Sequence, residues 1–347
     1  MEQTLKSWSP IIPKSTAGDH WSETLRHAIR DPLQLCDRLG LDPDQLPGGR
    51  QGLQQGHGLF RTLVPEPFLQ LMEPGNPQDP LLLQVLPLGS ENQPQPGFVT
   101  DPLQEQQANP LPGLIHKYTS RVLLTTSGAC AVNCRYCFRR HFPYADNSLS
   151  EAATEQIIHY LQQHPQVNEI ILSGGDPLAT PDARLAKRIR QLEQLPQLKR
   201  LRIHTRLPVV IPSRINDELL TWLSATRLQT LMVLHINHPQ EISPELEKAL
   251  ARLHQRGVIL LNQSVLLRGV NDNPVTLGNL SERLFEQKVM PYYLHAFDPV
   301  AGAAHFAIDD QQAKRIYQQL LARLPGYLVP RLVREQPDQP SKTPLGW

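Results

Sequence analysis

The sequence predicts an α/β fold, a partial (β/α)6 barrel with a mainly helical N-terminal extension. From Arg121 onward, short apolar and β-branched runs alternate with amphipathic stretches of helical length, the pattern of repeated βα units. Polar residues follow the ends of these runs, where parallel barrels carry their reactive groups. Prolines, 33 in all, concentrate between residues 62 and 113 and after Pro325, which indicates loop-rich flanks.

Six strands and six helices make up the predicted barrel. Ser150, Asp182 and Ser243 are suited to cap the helices that they begin, because their side chains accept hydrogen bonds from a first helical turn. The predicted strands cover residues 121–126, 169–174, 198–205, 228–236, 258–267 and 289–297. The predicted helices cover residues 150–164, 182–195, 213–225, 243–256, 274–287 and 309–324. Residues 116–325 are therefore assigned to the barrel.

Residues 1–115 are predicted to form a helical, proline-rich region that packs on the barrel. One helix is predicted from Ser22 to Leu39, ended by Gly40 and Pro43, and a shorter one from Pro65 to Met72. The region contains no catalytic pattern, so the chemistry is expected in the barrel.

Composition and charge narrow the class of protein. Lys and Arg total 34 against 33 Asp and Glu, a net charge of +1, so no global field favours nucleic acid or an anionic membrane. The apolar runs fall short of the roughly 20 residues of a membrane span, and the first residues lack the apolar core of a signal peptide. We expect a cytoplasmic protein that acts on small molecules. Cys36 stands apart from the other three cysteines, which argues against a disulfide framework.

Cys130, Cys134 and Cys137 lie in one short loop directly after the first predicted barrel strand. Three thiolates at this spacing can hold three irons of a [4Fe–4S] cluster and leave the fourth iron open to another molecule. A structural zinc site is the alternative, because His141 would complete a Cys3His set. The position after a buried barrel strand favours the cluster.

Further polar residues mark the ends of the later predicted strands. The glycine-rich run Ser173–Pro177 follows the second strand; taken alone it indicates a turn, but its place at a strand end favours a binding loop. Strands three to six end in or near polar groups of the kind that bind ligands: His204, Arg206, His235, Asn237, Gln263 and Asp298. A single histidine at a strand end is as often structural as functional.

Together, these motifs resemble the lysine 2,3-aminomutase family of radical S-adenosylmethionine (SAM) enzymes. The resemblance runs from about residue 110 to residue 298 through HKYTSRVLL, CRYCFRR, LSGGDPL, HTRLPVVIP, LHINHP, NQSVLLRGVND and PYYLHAFD. It implies a TIM-like partial barrel and an isomerase that moves the amino group of lysine from C2 to C3. It also implies three cofactors: the [4Fe–4S] cluster, SAM bound to its open iron, and pyridoxal phosphate.

The resemblance assigns cofactor contacts residue by residue. It implies that Lys342, in the C-terminal segment 326–347, bonds to pyridoxal phosphate, supported by Tyr118 and Arg121. Arg206 would pair with the methionine carboxylate of SAM, and His235 would face its ribose or adenine. The other residues implied to contact the cofactors are Gly174, Gly175, Asp176, Asn237 and Gln263.

The same resemblance implies how the substrate is held at its two ends. Arg139 would bind the carboxylate of lysine, for which a planar guanidinium is suited. Two family aspartates bind the distal ammonium; Asp298 matches the first, and Glu335 stands at the second, with Asp338 as the alternative.

Departures from the family pattern indicate a subgroup. Asn273 stands where the clostridial-type enzymes have a zinc-binding cysteine, and no cysteine follows Lys342, so no structural zinc is expected. The zinc-free form resembles the bacterial aminomutases that make (R)-β-lysine for attachment to elongation factor P. This implies a reduced flavodoxin-type electron donor, a ligase that uses the product, and an oligomeric state that the sequence leaves open.

Two other classes of function remain open from the sequence. One is another radical SAM enzyme, either an aminomutase for arginine or glutamate or a peptide modifier. The other is an iron–sulfur or zinc protein that binds a partner without catalysis. An acidic residue at position 298 disfavours glutamate as substrate, because its side chain would need a cation there.

Overall fold

A single mixed sheet organises the computed structural model, which describes residues 20–346. Residues 1–19 of the predicted N-terminal region, which include the stretch judged not to be a signal peptide, and Trp347 lie outside the described residues. The strands are β1 Leu114–Tyr118, β2 Arg121–Ser127, β3 Glu169–Gly174, β4 Arg200–Thr205, β5 Gln229–His235, β6 Ile259–Val265, β7 Met290–His295, β8 Arg331–Arg334 and β9 Thr343–Pro344. Each strand pairs with its neighbour in the chain, in the order β1 to β9.

The predicted partial barrel is confirmed, and each predicted barrel strand is present as one of β2 to β7. The prediction missed three strands. Strand β1 pairs antiparallel with β2, β8 extends the parallel set next to β7, and β9 pairs antiparallel with β8. Within the described part of the chain, β1 and β9 form the two edges of the sheet, so the barrel is partial.

Twelve α-helices of the described residues surround the sheet or precede it. Those before the sheet are α1 His20–Arg26, α2 Pro32–Leu39, α3 Gly49–Leu59, α4 Glu66–Leu69 and α5 Pro80–Leu83. Those that follow barrel strands are α6 Glu151–Gln162, α7 Asp182–Leu192, α8 Leu207–Val210, α9 Asp217–Ala225, α10 Pro244–Gln255, α11 Pro274–Glu286 and α12 Asp310–Arg323. None of the helices in this part of the chain is both long and apolar enough to cross a membrane.

The single helix predicted over residues 22–39 is wrong, because the structure has two. Helix α1 ends at Arg26, and α2 begins at Pro32, whose ring nitrogen has no hydrogen to continue an earlier helix. The Asp31 side chain accepts a hydrogen bond from the backbone N–H of Leu33 and caps α2. The proline at the first helical position therefore marks the start of a second helix.

Two of the three predicted helix caps are confirmed. Ser150 and Ser243 accept hydrogen bonds from the backbone N–H groups of Ala153 and Leu246. Asp182 is instead the first residue of α7, after Pro181. Its carboxylate accepts hydrogen bonds from Nη2 of Arg214 and Nε1 of Trp222, which lie 2.9 and 2.7 Å away. The carboxylate that was predicted to cap α7 therefore bonds to residues distant in the sequence instead.

The N-terminal helices share the hydrophobic core of the barrel. Trp21, Leu35 and Phe68 belong to the same buried cluster as Leu124 of β2 and Leu172 of β3. A common core of this kind fixes the helices against the sheet, since burial of apolar surface contributes about 25 cal/mol per Å².

Candidate active site

One cavity, of about 410 Å³, opens at the carboxyl ends of the parallel strands. Its walls come from loops after β2, β3 and β4 and from the ends of β5 to β8. Every site residue predicted from the sequence lines it except Asn237: Tyr118, Arg121, Cys130, Cys134, Cys137, Arg139, Gly174, Gly175, Asp176, Arg206, His235, Gln263, Asp298, Glu335 and Lys342. Asp338, the alternative to Glu335, is exposed and is not in the wall.

The three cysteines of the β2–β3 loop are free thiols that line the cavity together. Burial, and then the neighbouring Cys134, raises the pKa of Cys137 to about 11. Among residues 20–346, no three His, Cys, Asp or Glu side chains converge on a position for one metal ion. The ring of His141 instead lies 3.2 Å from the carbonyl oxygen of Ala301, away from the cavity wall. Three thiols without a fourth protein ligand fit a cluster with one open iron.

The glycine-rich loop after β3 packs directly on the cysteine loop. The backbone N–H groups of Gly175 and Asp176 donate to the carbonyls of Ser127 and Ala129, both at 2.7 Å. Gly174 has φ +127°, and a Cβ placed on Gly175 would lie only 2.5 Å from the Ala129 oxygen. Glycine is therefore required by close backbone approach at this point.

The carboxylate of Asp176, which also lines the cavity, is hydrogen-bonded within the protein. Its two carboxylate oxygens accept hydrogen bonds from the Thr205 hydroxyl, at 2.7 Å, and from the backbone N–H groups of Leu178, Arg206 and Leu207, at 2.7 to 3.0 Å. The carboxylate thereby ties the loop after β3 to the loop after β4, and the backbone of the two glycines is the part of the motif closest to the cysteine loop.

Arg206 and His235 form a network behind the cysteines. The guanidinium of Arg206 donates to Sγ of Cys134 at 2.8 Å and to Oε2 of Glu241 at 2.9 Å, while its buried Nε has no partner among the described residues. Nε2 of His235 lies 2.8 Å from the hydroxyl of Tyr136. This network holds the cysteine loop against the ends of β4 and β5.

Asn237 supports this network without reaching the cavity. It is fully buried, and its side chain donates to the hydroxyl of Tyr136 at 2.7 Å and accepts from the N–H of Val265 at 2.9 Å. Asn237 therefore supports residues that line the cavity, and its predicted contact with a cofactor stays a prediction.

A chain of alternating charges runs through the lining of the cavity. The guanidinium of Arg139 makes two hydrogen bonds, of 2.6 and 2.8 Å, to the carboxylate of Glu105. Lys117 lies between two acids, with Nζ 3.2 Å from Oε1 of Glu105 and 2.8 Å from Oε1 of Glu335. Nζ of Lys342 contacts Oε2 of Glu335. The chain thus links the residue predicted to hold the substrate carboxylate to the residue predicted to hold pyridoxal phosphate.

Glu105 and Lys117 were not predicted as site residues. Glu105 lies in the proline-rich region before β1, where no motif marks it. Lys117 stands next to Tyr118 inside the HKYTSRVLL motif, and that adjacency was the one available signal. Both line the cavity, and their side chains are at most 17% exposed.

Asp298 and Glu335 differ in their electrostatic surroundings. Burial, and then the charge of Glu335, raises the pKa of Asp298 to about 7. Burial alone would also raise the pKa of Glu335, but the charges of Lys342 and Lys117 outweigh it and hold that pKa well below its usual value. Among the described residues, no hydrogen bond or ion pair involves the carboxylate of Asp298, so in its ionised form it is free to pair with a cation in the cavity.

Aromatic rings in the cavity lie near Arg121 and Lys342. The guanidinium of Arg121 lies 4.0 Å from the centre of the Tyr118 ring, and Nζ of Lys342 lies 5.8 Å from the centre of the Tyr293 ring. Nε2 of His204, also in the wall, is buried without a partner among the described residues, and burial lowers the pKa of this histidine well below its usual value. A cation, a phenol and a primary amine side by side are the groups that an aldehyde carrying a phosphate requires.

Comparisons with known proteins agree with the geometry. The model of the radical SAM superfamily matches residues 124–277. The L-lysine 2,3-aminomutase of Escherichia coli K12 is 50% identical over 328 residues, which cover 94% of each protein. The L-lysine 2,3-aminomutases of Haemophilus influenzae and Buchnera aphidicola are 49% and 44% identical, covering 96% and 95% of this chain and 98% and 96% of their own length.

These matches confirm the family predicted from the motifs, together with the class of enzyme, an isomerase. The cluster, SAM and pyridoxal phosphate are the cofactors that this membership implies, and the cysteine loop and the surroundings of Lys342 fit them. The chain therefore belongs to the lysine 2,3-aminomutase family of radical SAM enzymes.

Proposed function

We propose that this protein converts (S)-α-lysine into (R)-β-lysine as a radical SAM, pyridoxal phosphate-dependent lysine 2,3-aminomutase. One observation carries the proposal: a single cavity is lined by three free thiols, a primary amine, a guanidinium and an unpaired acid, in a chain that is about half identical to L-lysine 2,3-aminomutases along nearly its whole length. When bound, the cluster and SAM supply a hydrogen-abstracting radical, and pyridoxal phosphate carries the migrating amino group.

In this proposal, Cys130, Cys134 and Cys137 hold the cluster, and the backbone of Gly174 and Gly175 faces SAM. Arg206, His235 and Gln263 line the same part of the cavity and complete its walls. Asp176 follows the two glycines and ties their loop to the loop after β4, because its carboxylate accepts four hydrogen bonds, three of them from residues 205–207.

The charged residues of the cavity bind and orient the substrate and pyridoxal phosphate. Lys342 bonds to pyridoxal phosphate, and Tyr118 and Arg121 offer a hydroxyl and a cation to its phosphate. Arg139 binds the substrate carboxylate through the N–H groups that Glu105 and Ser173 leave free; these two residues hold its guanidinium in one orientation. Asp298 accepts the distal ammonium, and Glu335 adds negative charge to the same wall. Holding both ends fixes C2 and C3 relative to the cofactors, as a near-attack geometry requires.

The finer assignments follow from the same family resemblance. We propose that a flavodoxin-type protein supplies the electron, that the product serves a ligase acting on elongation factor P, and that the protein acts in the cytoplasm. The segments 1–115, 116–325 and 326–347 are proposed as the supporting region, the barrel and the segment that carries pyridoxal phosphate.

The test is anaerobic reconstitution with iron, sulfide and pyridoxal phosphate, followed by incubation with SAM, a reductant and lysine. We expect (R)-β-lysine when the products are separated by chirality. Formation of the (S) isomer would overturn the stereochemical part, and a protein that assembles both cofactors but leaves lysine unchanged would overturn the activity. Cys134→Ala is expected to lose iron, and Lys342→Ala is expected to lose the visible absorbance of lysine-bound pyridoxal phosphate.

A further inference from the structure

Glu335 lines the cavity, but its carboxylate already pairs with two lysines. Its Oε1 lies 2.8 Å from Nζ of Lys117, and its Oε2 contacts Nζ of Lys342. The side chains of all three residues are at most 20% exposed. Each oxygen of the carboxylate therefore already has a cationic partner, so a third ammonium has to displace one of them.

The contact with Lys342 is built into the backbone. Strands β8 and β9 pair antiparallel, with Val333 opposite Pro344 and Arg334 opposite Thr343. Continued by one residue, this register sets Glu335 opposite Lys342. Side chains directly opposite each other on antiparallel strands are neighbours, with Cβ atoms about 4.5–5.5 Å apart. The acid and the amine thus stay within reach of each other whatever else occupies the cavity.

Asp298 differs from Glu335 in its partners, which indicates that the two acids have different roles. It lines the same cavity, but within the part of the chain that the structure describes no cation pairs with it. An incoming ammonium forms a new ion pair with the unpaired carboxylate of Asp298, whereas at Glu335 it has to displace a resident lysine. The substrate ammonium is therefore better served by Asp298, and Glu335 is better suited to a partner within the protein.

We propose that Glu335, which also contacts Lys117, is the carboxylate that holds Lys342 as an ammonium whenever pyridoxal phosphate is bonded to the substrate. The inference rests on the proposed function, in which Lys342 carries that cofactor. It gives Glu335 a positioning role in the transfer of the cofactor, beyond the substrate contact expected from the sequence.

The step balances in atoms and charge. The C=N bond between the cofactor and Nζ of Lys342 breaks, and a C=N bond to the α-nitrogen of the amino acid forms. The C=N nitrogen carries one hydrogen before and after the exchange. The amino acid arrives as an ammonium with three hydrogens on nitrogen; one stays on the new C=N nitrogen, and two pass to Nζ of Lys342. The released lysine is therefore a cation, and the carboxylate of Glu335 stabilises it where both side chains are at most 20% exposed and an ion pair is worth more than in water.

The test measures transfer of pyridoxal phosphate from Lys342 to an added amino acid, by absorbance and fluorescence, without SAM or reductant. Lysine and norleucine are compared, since norleucine has the same carbon chain without the distal amine. We expect Glu335→Gln to lower the transfer equilibrium about tenfold or more for both amino acids, because the variant leaves the released ammonium without its carboxylate partner. The matched variant Asp298→Asn is expected to weaken transfer to lysine and leave norleucine unchanged.

The outcomes separate the inference from the function on which it rests. If Glu335→Gln weakens transfer to lysine alone, Glu335 is a substrate clamp and the inference is wrong; it is also wrong if neither amino acid is affected. If the unmodified protein shows no lysine-bound pyridoxal phosphate, the proposed function fails instead.

A second variant tests the sign of the effect and does not depend on Glu335→Gln retaining the cofactor. Lys117→Met removes the cation that competes for Glu335, so we expect transfer to both amino acids to become more favourable. A variant that damages the site in general would weaken transfer. A decrease with Lys117→Met, at full content of pyridoxal phosphate, would therefore overturn the inference.

Discussion

At the scale of single residues, two carboxyl groups that line the same cavity can have very different pKa values. Asp298 and Glu335 line the same wall, yet the pKa of Asp298 rises to about 7 and that of Glu335 falls well below its usual value. Burial acts on both in the same direction, so the difference comes from the two lysines beside Glu335. The free acid and the paired acid can therefore have different functions at neutral pH.

Binding of lysine is expected to weaken below pH 7. Asp298 in the free enzyme loses its charge as the pH falls through its pKa of about 7, whereas the distal ammonium of lysine stays charged. The dissociation constant for lysine should thus rise up to tenfold per pH unit on the acidic side, as measured by titration with lysine at several pH values. Asp298→Asn should bind weakly at all pH values; a steep pH dependence that survives in this variant would assign it to another group.

Motifs in the sequence identify the residues that carry chemistry but not those that orient them. Cys130 and Lys342 stand in distinctive contexts, so the sequence alone is enough to predict their roles. Glu105 meets Arg139 across 34 positions, and Lys117 meets Glu335 across 218. Ion pairs at such separations leave no local pattern, because only the folded backbone brings the partners together.

At the scale of elements, two loops form one unit around the cysteines. The loop after β3 lies so close to the loop after β2 that only glycine fits at position 175. Its N–H groups bond to Ser127 and Ala129, just before the first cysteine. The position of Cys130 thus depends on a contact from the neighbouring βα unit.

Gly175→Ala is expected to reduce the content of iron and sulfide per chain after reconstitution. Its Cβ would meet the Ala129 oxygen at 2.5 Å, so the cysteine loop has to move. Gly58→Ala is the control, because a Cβ there has nothing within 4 Å and alanine is favoured in helix α3 by about 1 kcal/mol. A Gly175→Ala protein that assembles a full cluster would show that the close approach is not needed.

The long βα units were predictable as elements, whereas the C-terminal hairpin was not. Helices such as α6 and α10 have serine caps and periodic apolar faces, which are local signals. Strand β8 has four residues, two of them arginine, and β9 has two residues, one of them proline. Their pairing with each other and with β7 is what makes them strands, and such tertiary pairing is absent from a local pattern.

At the scale of the whole molecule, the N-terminal helices hold the cysteine loop from behind. Arg135, between two of the cysteines, is fully buried and donates to the carboxylate of Glu91 and to the carbonyl oxygens of Gly56 and Phe60. Arg140 reaches the same carboxylate at 3.0 Å. The N-terminal region, which contains no catalytic motif, therefore helps to position the cysteine loop of the candidate metal site.

Arg135→Met is expected to destabilise the protein by about 3–5 kcal/mol, because it leaves the buried charge of Glu91 with one cation fewer. Denaturant unfolding of the metal-free protein measures this loss, and iron content after reconstitution should fall with it. Arg50→Met is the control, since the Arg50–Asp44 pair is more than half exposed and should change stability by less than about 0.5 kcal/mol. Equal stability of the two variants would contradict the role given to Arg135.

The order of the sheet, β1 to β9 in chain order, has a consequence for synthesis on the ribosome. Each strand finds its partner already emerged, so the nascent polypeptide can extend the sheet vectorially without waiting for a distant segment. At every moment, the β1 edge and one advancing edge are the parts of the growing sheet that are open to mispairing with other chains. The last addition, β9, contains Pro344, which has no N–H to offer a further strand and so terminates growth.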